Sequence, residues 1–161
     1  MGAGHPQTIS NSAFLRDRGW TGLAVDACAD YAPAWTGFTF EVAIVSNKPV
    51  VNFSLNPIRE LSRITTDGPT FPAVTLESLL SKHGIGGIDL LSLDVEAHEY
   101  DALMSMNFQA HRPKIVISEY STFCVGEDMR VRDALVEQGY EVVAKTQCNF
   151  IFIDPQHVKR I

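Results

Sequence analysis

The sequence has few cysteines, no long apolar run and no basic stripe. Its cysteines, Cys28, Cys124 and Cys148, are odd in number and form no C-x-x-C pair, so neither a disulfide framework nor a zinc knuckle is expected. Lysines and arginines are scattered and the net charge is −6, which argues against a nucleic-acid partner. No apolar run has membrane-spanning length, and no signal-peptide pattern is visible. These absences predict a cytoplasmic protein without a membrane span.

One stretch of the chain, residues 88–100, combines a buried strand with ionisable side chains. Residues 88–93 form a short apolar run with the length and composition of a strand buried on both faces. The residues that follow include Asp94, Glu96, His98 and Glu99. In open α/β sheets, ligands bind outside the carboxyl ends of the strands. The stretch therefore predicts a functional site at that edge of a sheet.

Apolar runs of strand length alternate with helical patterns along the whole chain. Strands are predicted at residues 23–27, 38–46, 88–93 and 114–118, and helices at 10–18, 28–35, 76–83, 97–106 and 127–138. Thr75 is the predicted N-cap of the helix at 76–83. The proline-rich stretch 48–72 has no helical period, and residues 50–54 within it are open to a strand. Residues 140–144 and 149–153 predict an antiparallel hairpin. Together they predict one α/β domain over residues 1–161: a Rossmann-like, doubly wound, mostly parallel sheet with an antiparallel C-terminal hairpin.

Three of the predicted strands end on acids, Asp26, Asp94 and Glu119. The acidic group that follows residue 93 could hold a metal, act as an acid/base set, or only complement the dipole of a helix start. His98 could be a general base near neutral pH or a packing histidine. Glu119 could accept a substrate hydroxyl or hold the strand end. No histidine or cysteine spacing indicates a zinc site, and no metal ligand is assigned.

The N-terminal Gly2-x-Gly4 pattern predicts a turn whose backbone can approach a ligand closely. Asp26, at the end of the next strand, is placed to accept hydrogen bonds from ribose hydroxyls. A pyrophosphate-binding site is disfavoured, because Gln7 stands where a dinucleotide fingerprint needs its third glycine. An adenosine ligand without pyrophosphate remains open, and so does a simple terminal turn.

Five segments of the chain resemble those of FkbM-type methyltransferases in the same order: residues 2–6, 10–11, 18–27, 74–79 and 88–99. The block Asp94-Val95-Glu96-x-His98-Glu99 is the most specific part of the resemblance. The resemblance implies a class I methyltransferase-like fold that uses S-adenosyl-L-methionine. It also implies methyl transfer to a hydroxyl group of a small-molecule or glycan acceptor, such as a sugar or natural product.

The same resemblance assigns roles to individual residues. Gly2, Ala3 and Gly4 would line the methionine end of the cofactor, and Asp26 would hold its ribose. Asp94 would face both cofactor and acceptor. The catalytic residues would then be Asp94, His98 and Glu119, one of which would serve as base if the hydroxyl needs one.

The sequence departs from the family pattern in two places. Ala97 stands where the family usually has glycine, which is expected to change the start of the next helix only slightly. The family also places a central strand before the glycine turn, between the strands that end at Asp26 and Asp94. The resemblance thus implies a missing first strand. A truncated chain is the favoured explanation; direct closure of the sheet and a partner chain, including a homo-oligomer that covers the exposed edges, are the others.

A second interpretation belongs to another class of protein. Without its central strand the chain could be a non-catalytic Rossmann-like remnant or a protein-interaction module. Thermal stabilisation by S-adenosylhomocysteine would separate this from a methyltransferase, because a ligand that binds only the folded state raises its stability.

Overall fold

The computed structural model describes residues 1–8, 10–122 and 126–157, so Cys124 lies outside the described residues. Four α-helices occur in this part of the chain: α1 Ala13–Arg16, α2 Leu76–Lys82, α3 Glu99–Leu103 and α4 Arg130–Glu137. Two 3-10 helices span Ala29–Ala34 and Arg59–Leu61. None of the described helices is long and apolar enough to cross a membrane.

The strands follow the chain from β1 to β11. They are β1 Leu23–Asp26, β2 Thr39–Val42, β3 Val50–Ser54, β4 Arg63–Thr65, β5 Thr70–Pro72, β6 Leu90–Leu93, β7 Ile115–Glu119, β8 Ser121–Thr122, β9 Gly126–Glu127, β10 Glu141–Lys145 and β11 Asn149–Ile153. They form four sheets: β1-β2, β10-β11-β7-β6, β4-β3-β5 and β8-β9. Of these strand pairs only β1-β2 and β6-β7 are parallel, so the described strands form a mixed α/β fold.

The four-stranded sheet carries the main hydrophobic core. Leu91 and Leu93 of β6, Val116 of β7 and Phe152 of β11 are buried, and they alternate with more exposed neighbours as a strand period of two requires. Helices α2, α3 and α4 pack their apolar side chains into the same core. The predicted C-terminal hairpin is confirmed, because β10 and β11 pair antiparallel.

Helix α2 shows how local sequence sets an element. The Oγ1 of Thr75 accepts a hydrogen bond from the Ser78 N–H at 3.1 Å, which caps the helix as predicted. Its buried residues Leu76, Leu79 and Leu80 follow the i, i+3, i+4 spacing of one helix face. Other predicted helices are shorter than expected: α3 begins at Glu99 and not at residue 97, and α4 begins at Arg130.

The stretch 48–72 is more regular than its prolines suggested. It folds into the antiparallel sheet β4-β3-β5, and all four of its prolines lie outside the paired strands or at a strand end. Pro72 is the last residue of the edge strand β5, where a missing N–H does no harm. The strand left open at residues 50–54 is β3, whereas β4 and β5 were not predicted.

The N-terminal residues connect two of the sheets. The amino group of Met1 donates to the Ser92 carbonyl at 2.6 Å, and the Asp94 N–H donates to the Met1 carbonyl at 3.2 Å. On the other side, the Ala3 N–H donates to the Val25 carbonyl of β1 at 3.1 Å. Residues 1–3 thereby lie between the carboxyl ends of β1 and β6 and are hydrogen-bonded to both.

Candidate active site

The Gly2–Gly4 turn is held by hydrogen bonds to its own chain. The Gly4 N–H donates to Asp26 Oδ2 at 2.9 Å, and the Cys28 N–H donates to Asp26 Oδ1 at 2.8 Å. The indole N–H of buried Trp35 donates to the Gly4 carbonyl at 2.8 Å. Gly2 and Gly4 have φ values of 64° and 55°, where only glycine is unstrained. Asp26 thus fixes the turn and keeps lone pairs free for a ligand.

Gly2 has a second reason to be glycine. A Cβ atom on Gly2 would collide with the Asp94 carbonyl oxygen. The close approach of the turn to the end of β6 therefore depends on the missing side chain. From the sequence, the glycine was expected to let a ligand approach the backbone. In the structure, the missing side chain lets the turn contact the backbone at the end of β6.

Asp94 is the first residue after β6, and the backbone that follows it is strained at residues 96 and 97. Glu96 and Ala97 have φ values of 57° and 71°, the left-handed region that L-residues rarely adopt. Ala97 is the position where the family pattern has glycine, and its backbone explains that preference. Glu99 closes the loop, because its Oε1 accepts a hydrogen bond from the Val95 N–H at 2.7 Å.

Asp94 and Glu119 form a carboxyl pair at the ends of β6 and β7. Burial raises the pKa of Asp94, while the Met1 ammonium and a hydrogen bond with Glu119 act in the opposite direction. Burial, followed by the charges of Asp94, Glu99 and Glu96, raises the pKa of Glu119 to about 9. The shared proton therefore resides on Glu119 at neutral pH.

Glu96 completes a group of three acids. One oxygen each from Asp94, Glu96 and Glu119 lies within 4.8 Å of the others, so the set could hold a divalent cation or a positively charged organic group. Burial, with the charge of Asp94, raises the pKa of Glu96. Glu119 Oε2 is buried without a hydrogen-bond donor among the described residues. Mutual repulsion and an unpaired oxygen favour a cationic occupant.

His98 occupies a different environment from the carboxyl pair. It is the N-cap residue of α3. Its Nε2 lies 3.0 Å from Ser46 Oγ, and its Nδ1 lies 3.5 Å from Asp101 Oδ2. Burial lowers the pKa of His98, so the ring is neutral at pH 7 with both nitrogens near polar partners.

Glu99 is buried, and its carboxylate accepts a hydrogen bond from the backbone that follows Asp94. Burial raises the pKa of Glu99 to about 7, although the Val95 N–H opposes that shift. This fits the structural interpretation of the residue, in which it supports the start of a helix. The pKa of Glu99 nevertheless lies close to physiological pH.

A cavity of about 390 Å³ brings most of the predicted site residues together. Its lining includes Gly2, Gly4, Asp26, Asp94, Glu96, His98 and Glu119. Ala3 is absent from this lining and instead contributes to a second cavity between β1 and β6. Apolar side chains of Phe53, Leu61 and Ile64 cover another part of the first cavity.

The family of the chain follows from comparison with known proteins. Residues 6–142 match the family model described as Methyltransferase FkbM domain. The chain belongs to this family. The match includes Asp26, Asp94, His98 and Glu119, and the Gly2–Gly4 turn precedes it. Neither the curated proteins nor the solved structures yielded a match.

Membership in this family supports a methyltransferase. Two residues that do not line the cavity, but bond to residues that do, were not singled out from the sequence. Trp35 and Ser46 are buried and hydrogen-bonded to Gly4 and His98, respectively. Neither residue stands in a recognisable motif. Trp35 follows a proline-containing segment, and its partner is a backbone carbonyl 31 residues away, a contact that no local pattern predicts.

Proposed function

We propose that this FkbM-family chain is an S-adenosylmethionine-dependent methyltransferase that methylates a hydroxyl group of a sugar or natural product. We further propose that its parallel strand pairs belong to one Rossmann-like, doubly wound sheet. The observation that supports the proposal is the meeting of Asp26, Asp94 and Glu119 with the glycine turn in one cavity. Ligands of α/β sheets bind at such strand ends.

The residues of the cavity fit the proposed cofactor in charge and size. S-adenosylmethionine supplies a methyl group on a positively charged sulfonium. The acids Asp94, Glu96 and Glu119 provide negative charge, and the charge of the lining Arg59 is paired with Asp30 at 3.2 Å. A volume of about 390 Å³ is within the usual range for small-molecule sites. Asp26 would accept hydrogen bonds from the ribose diol.

The carboxyl pair is the best candidate for handling the acceptor proton. A cation beside Glu119 would lower its pKa, because it favours the charged form. Glu119 or Asp94 would then accept the proton of the acceptor hydroxyl. His98 is a weaker candidate, since both of its nitrogens face polar neighbours. In-line methyl transfer needs accurate positioning above all, which a rigid strand end provides.

The acceptor would lie against the apolar part of the cavity. Phe53, Leu61 and Ile64 come from the β3–β4 region and line the same space as the acids. Ser121 also lines it. An acceptor with one apolar face and one hydroxyl near Glu119 matches this arrangement.

Binding of S-adenosylhomocysteine tests the proposal. At a concentration 100 times its Kd, a ligand that binds only the folded state stabilises it by about 2.7 kcal/mol. This corresponds to a rise in Tm of roughly 5–10 °C for a domain of this size. Asp94→Asn should reduce the rise, whereas Asp89→Asn, at an exposed ion pair with Lys114, should not. Absence of any rise in the unmodified chain would favour the non-catalytic interpretation.

A further inference from the structure

A buried hydroxyl group without a partner lies in the wall of the candidate cavity. Tyr31 belongs to the 3-10 helix Ala29–Ala34 and lines the cavity, and only 7 % of the residue is exposed. Its phenol oxygen is buried and has no hydrogen-bond partner among the described residues. Because a buried polar group without a partner lowers stability, the position of this hydroxyl needs an explanation.

The other buried tyrosines that the structure describes do have partners. The hydroxyl of Tyr140 donates to the Pro113 carbonyl at 2.7 Å, and the hydroxyl of Tyr120 donates to the Gln147 carbonyl at 3.1 Å. Tyr31 therefore differs from them in its hydrogen bonding and not in its burial.

The chain that follows β1 places Tyr31 beside Asp26. Asp26 is the last residue of β1, and its Oδ1 accepts a hydrogen bond from the N–H of Cys28, the N-cap of the 3-10 helix, at 2.8 Å. The N–H of Tyr31 donates to the Cys28 carbonyl at 3.5 Å. Asp26 and Tyr31 are thus positioned by the same turn, and both line the cavity.

The acids near Tyr31 indicate that its hydroxyl end lies toward the cavity. The pKa of Tyr31 is raised, first by burial and then by the carboxylates of Glu60 and Asp26, both of which line the cavity. Glu60 is exposed and does not meet hydrogen-bond geometry with the phenol oxygen. The phenol is therefore neutral at physiological pH, and a neutral phenol can both donate and accept a hydrogen bond.

The ring of Tyr31 is held in place by packing. It belongs to an apolar cluster with Ala13, Ala24, Cys28 and Trp35. The ring of His5 meets it edge-on, with the ring centroids 6.4 Å apart. A hydroxyl on a fixed ring is oriented before a ligand arrives, so binding to it costs little further ordering.

We propose that Tyr31 is a further ligand-binding residue, whose hydroxyl group binds the ribose diol of a nucleoside beside Asp26. The inference rests on the proposed function, in which the nucleoside is that of S-adenosylmethionine. One ribose hydroxyl would donate to Asp26, and its neighbour would form a hydrogen bond with Tyr31. Two adjacent hydroxyl groups match a carboxylate and a phenol that lie side by side, and the bond would supply the partner that the phenol lacks.

The alternative is a structural role, in which a rotation of the exposed Glu60 side chain lets Tyr31 donate to its carboxylate. The two roles predict opposite effects of removing the hydroxyl. A hydroxyl with a partner in the free protein stabilises the fold, whereas one without a partner can be removed without loss. Only a ligand-binding hydroxyl changes the affinity for a nucleoside.

The first test compares Tyr31→Phe with Tyr140→Phe, which removes a buried hydroxyl whose partner is known. Tm is measured without ligand, and the Kd of S-adenosylhomocysteine is measured by calorimetry. Tyr31→Phe should keep or slightly raise Tm and should weaken binding roughly three- to tenfold, the value of one hydrogen bond. Tyr140→Phe should lower Tm by roughly 2–6 °C and leave the Kd unchanged.

The second test identifies the group that Tyr31 binds. The 2′-deoxy and 3′-deoxy analogues of S-adenosylhomocysteine each lack one ribose hydroxyl. In the unmodified chain, the analogue without the hydroxyl that Tyr31 binds should lose affinity. In Tyr31→Phe the same analogue should bind as well as S-adenosylhomocysteine does, because the pair of partners is already broken.

Three outcomes would overturn the inference. A lower Tm of Tyr31→Phe with an unchanged Kd would show a structural hydroxyl. An equal effect of Tyr31→Phe on the Kd of S-adenosylhomocysteine and of both analogues would show that Tyr31 does not bind the ribose diol. Both results leave the proposed function intact. Failure of the unmodified chain to bind S-adenosylhomocysteine would overturn the proposed function together with this inference.

Discussion

At the scale of single residues, Glu119 couples the candidate site to stability. Burial and the neighbouring acids raise its pKa from an ordinary 4.5 to about 9. Between these values the folded state binds a proton that the unfolded state lacks, so the free energy of unfolding must fall as pH rises. The contribution of Glu119 is therefore fully present below about pH 4.5 and lost by about pH 9.

Replacement of Glu119 by glutamine should remove that pH dependence. A neutral amide keeps the shape of the protonated acid, so Glu119→Gln is expected to flatten the Tm profile between pH 5 and pH 9. The variant should exceed the unmodified chain in Tm at pH 9, and calorimetry across this range measures both. Glu127→Gln, on the exposed strand β9, serves as the control. Parallel profiles for the unmodified and Glu119→Gln chains would contradict the assignment of the proton.

Ala97 is a second residue whose effect can be isolated. Its φ of 71° costs an alanine roughly 1 kcal/mol relative to glycine. Ala97→Gly is therefore expected to raise the free energy of unfolding by about 0.5–1 kcal/mol, despite the greater freedom of glycine in the unfolded chain. Ala134→Gly, inside α4, should lower it by about 1 kcal/mol. Urea denaturation measures both, and a loss of stability in Ala97→Gly would contradict the strain argument.

At the scale of elements, the end of β11 is held by a buried ion pair. Asp154 is fully buried and pairs with Arg112 Nε at 2.7 Å and with His157 at 2.6 Å. Burial alone would raise the pKa of Asp154, but these hydrogen bonds outweigh it and hold the pKa at about 2. The stability that this carboxylate provides is present above its ordinary pKa of 3.8 and is lost as pH falls toward about 2.

Removal of this carboxylate should be far more costly than removal of an exposed one. Asp154→Asn leaves the Arg112 charge without a partner and is expected to cost about 3–5 kcal/mol at pH 7. Asp89→Asn breaks an exposed pair with Lys114 and should cost at most about 1 kcal/mol. Urea denaturation at pH 7 and at pH 2.5 gives the comparison, and the two variants should differ less at the lower pH. Equal costs at pH 7 would contradict the prediction.

The elements also show what sequence patterns can and cannot predict. Strands β1, β6 and β7, the cap of α2 and the terminal hairpin were all predicted, because apolar runs, capping residues and turn lengths are local signals. Residues 50–54 were left open to a strand and form β3, whereas β4 and β5 were missed, since strands of three residues carry little local signal and pair through non-local register. Asp94 and Glu119 were singled out as acids at strand ends, and both line the candidate cavity. The contacts of Trp35 and Ser46 link distant segments and carry no local signal.

At the scale of the whole molecule, the sheet of β1 and the sheet of β6 are connected by a few atoms around Gly2. The peptide groups of Met1 and Ala3 bond to opposite sheets, and Gly2 allows the turn to lie against the Asp94 carbonyl. The candidate cavity contains residues from both sheets, Asp26 from one and Asp94 and Glu119 from the other. Its geometry therefore depends on this connection.

Gly2→Ala should break the connection, and Gly84→Ala provides a closely matched control. Both glycines have a φ of 64°, but an added Cβ meets the Asp94 carbonyl at Gly2 and nothing within 4 Å at Gly84. The shared backbone strain is worth roughly 1–2 kcal/mol in each variant. The collision adds a local effect at Gly2 alone, because residues 1–3 must move away from β6. Amide exchange at Asp94, whose N–H donates to Met1, should accelerate in Gly2→Ala and remain unchanged in Gly84→Ala. Affinity for S-adenosylhomocysteine should fall in Gly2→Ala only, and equal affinities in the two variants would show that the cavity does not need the connection.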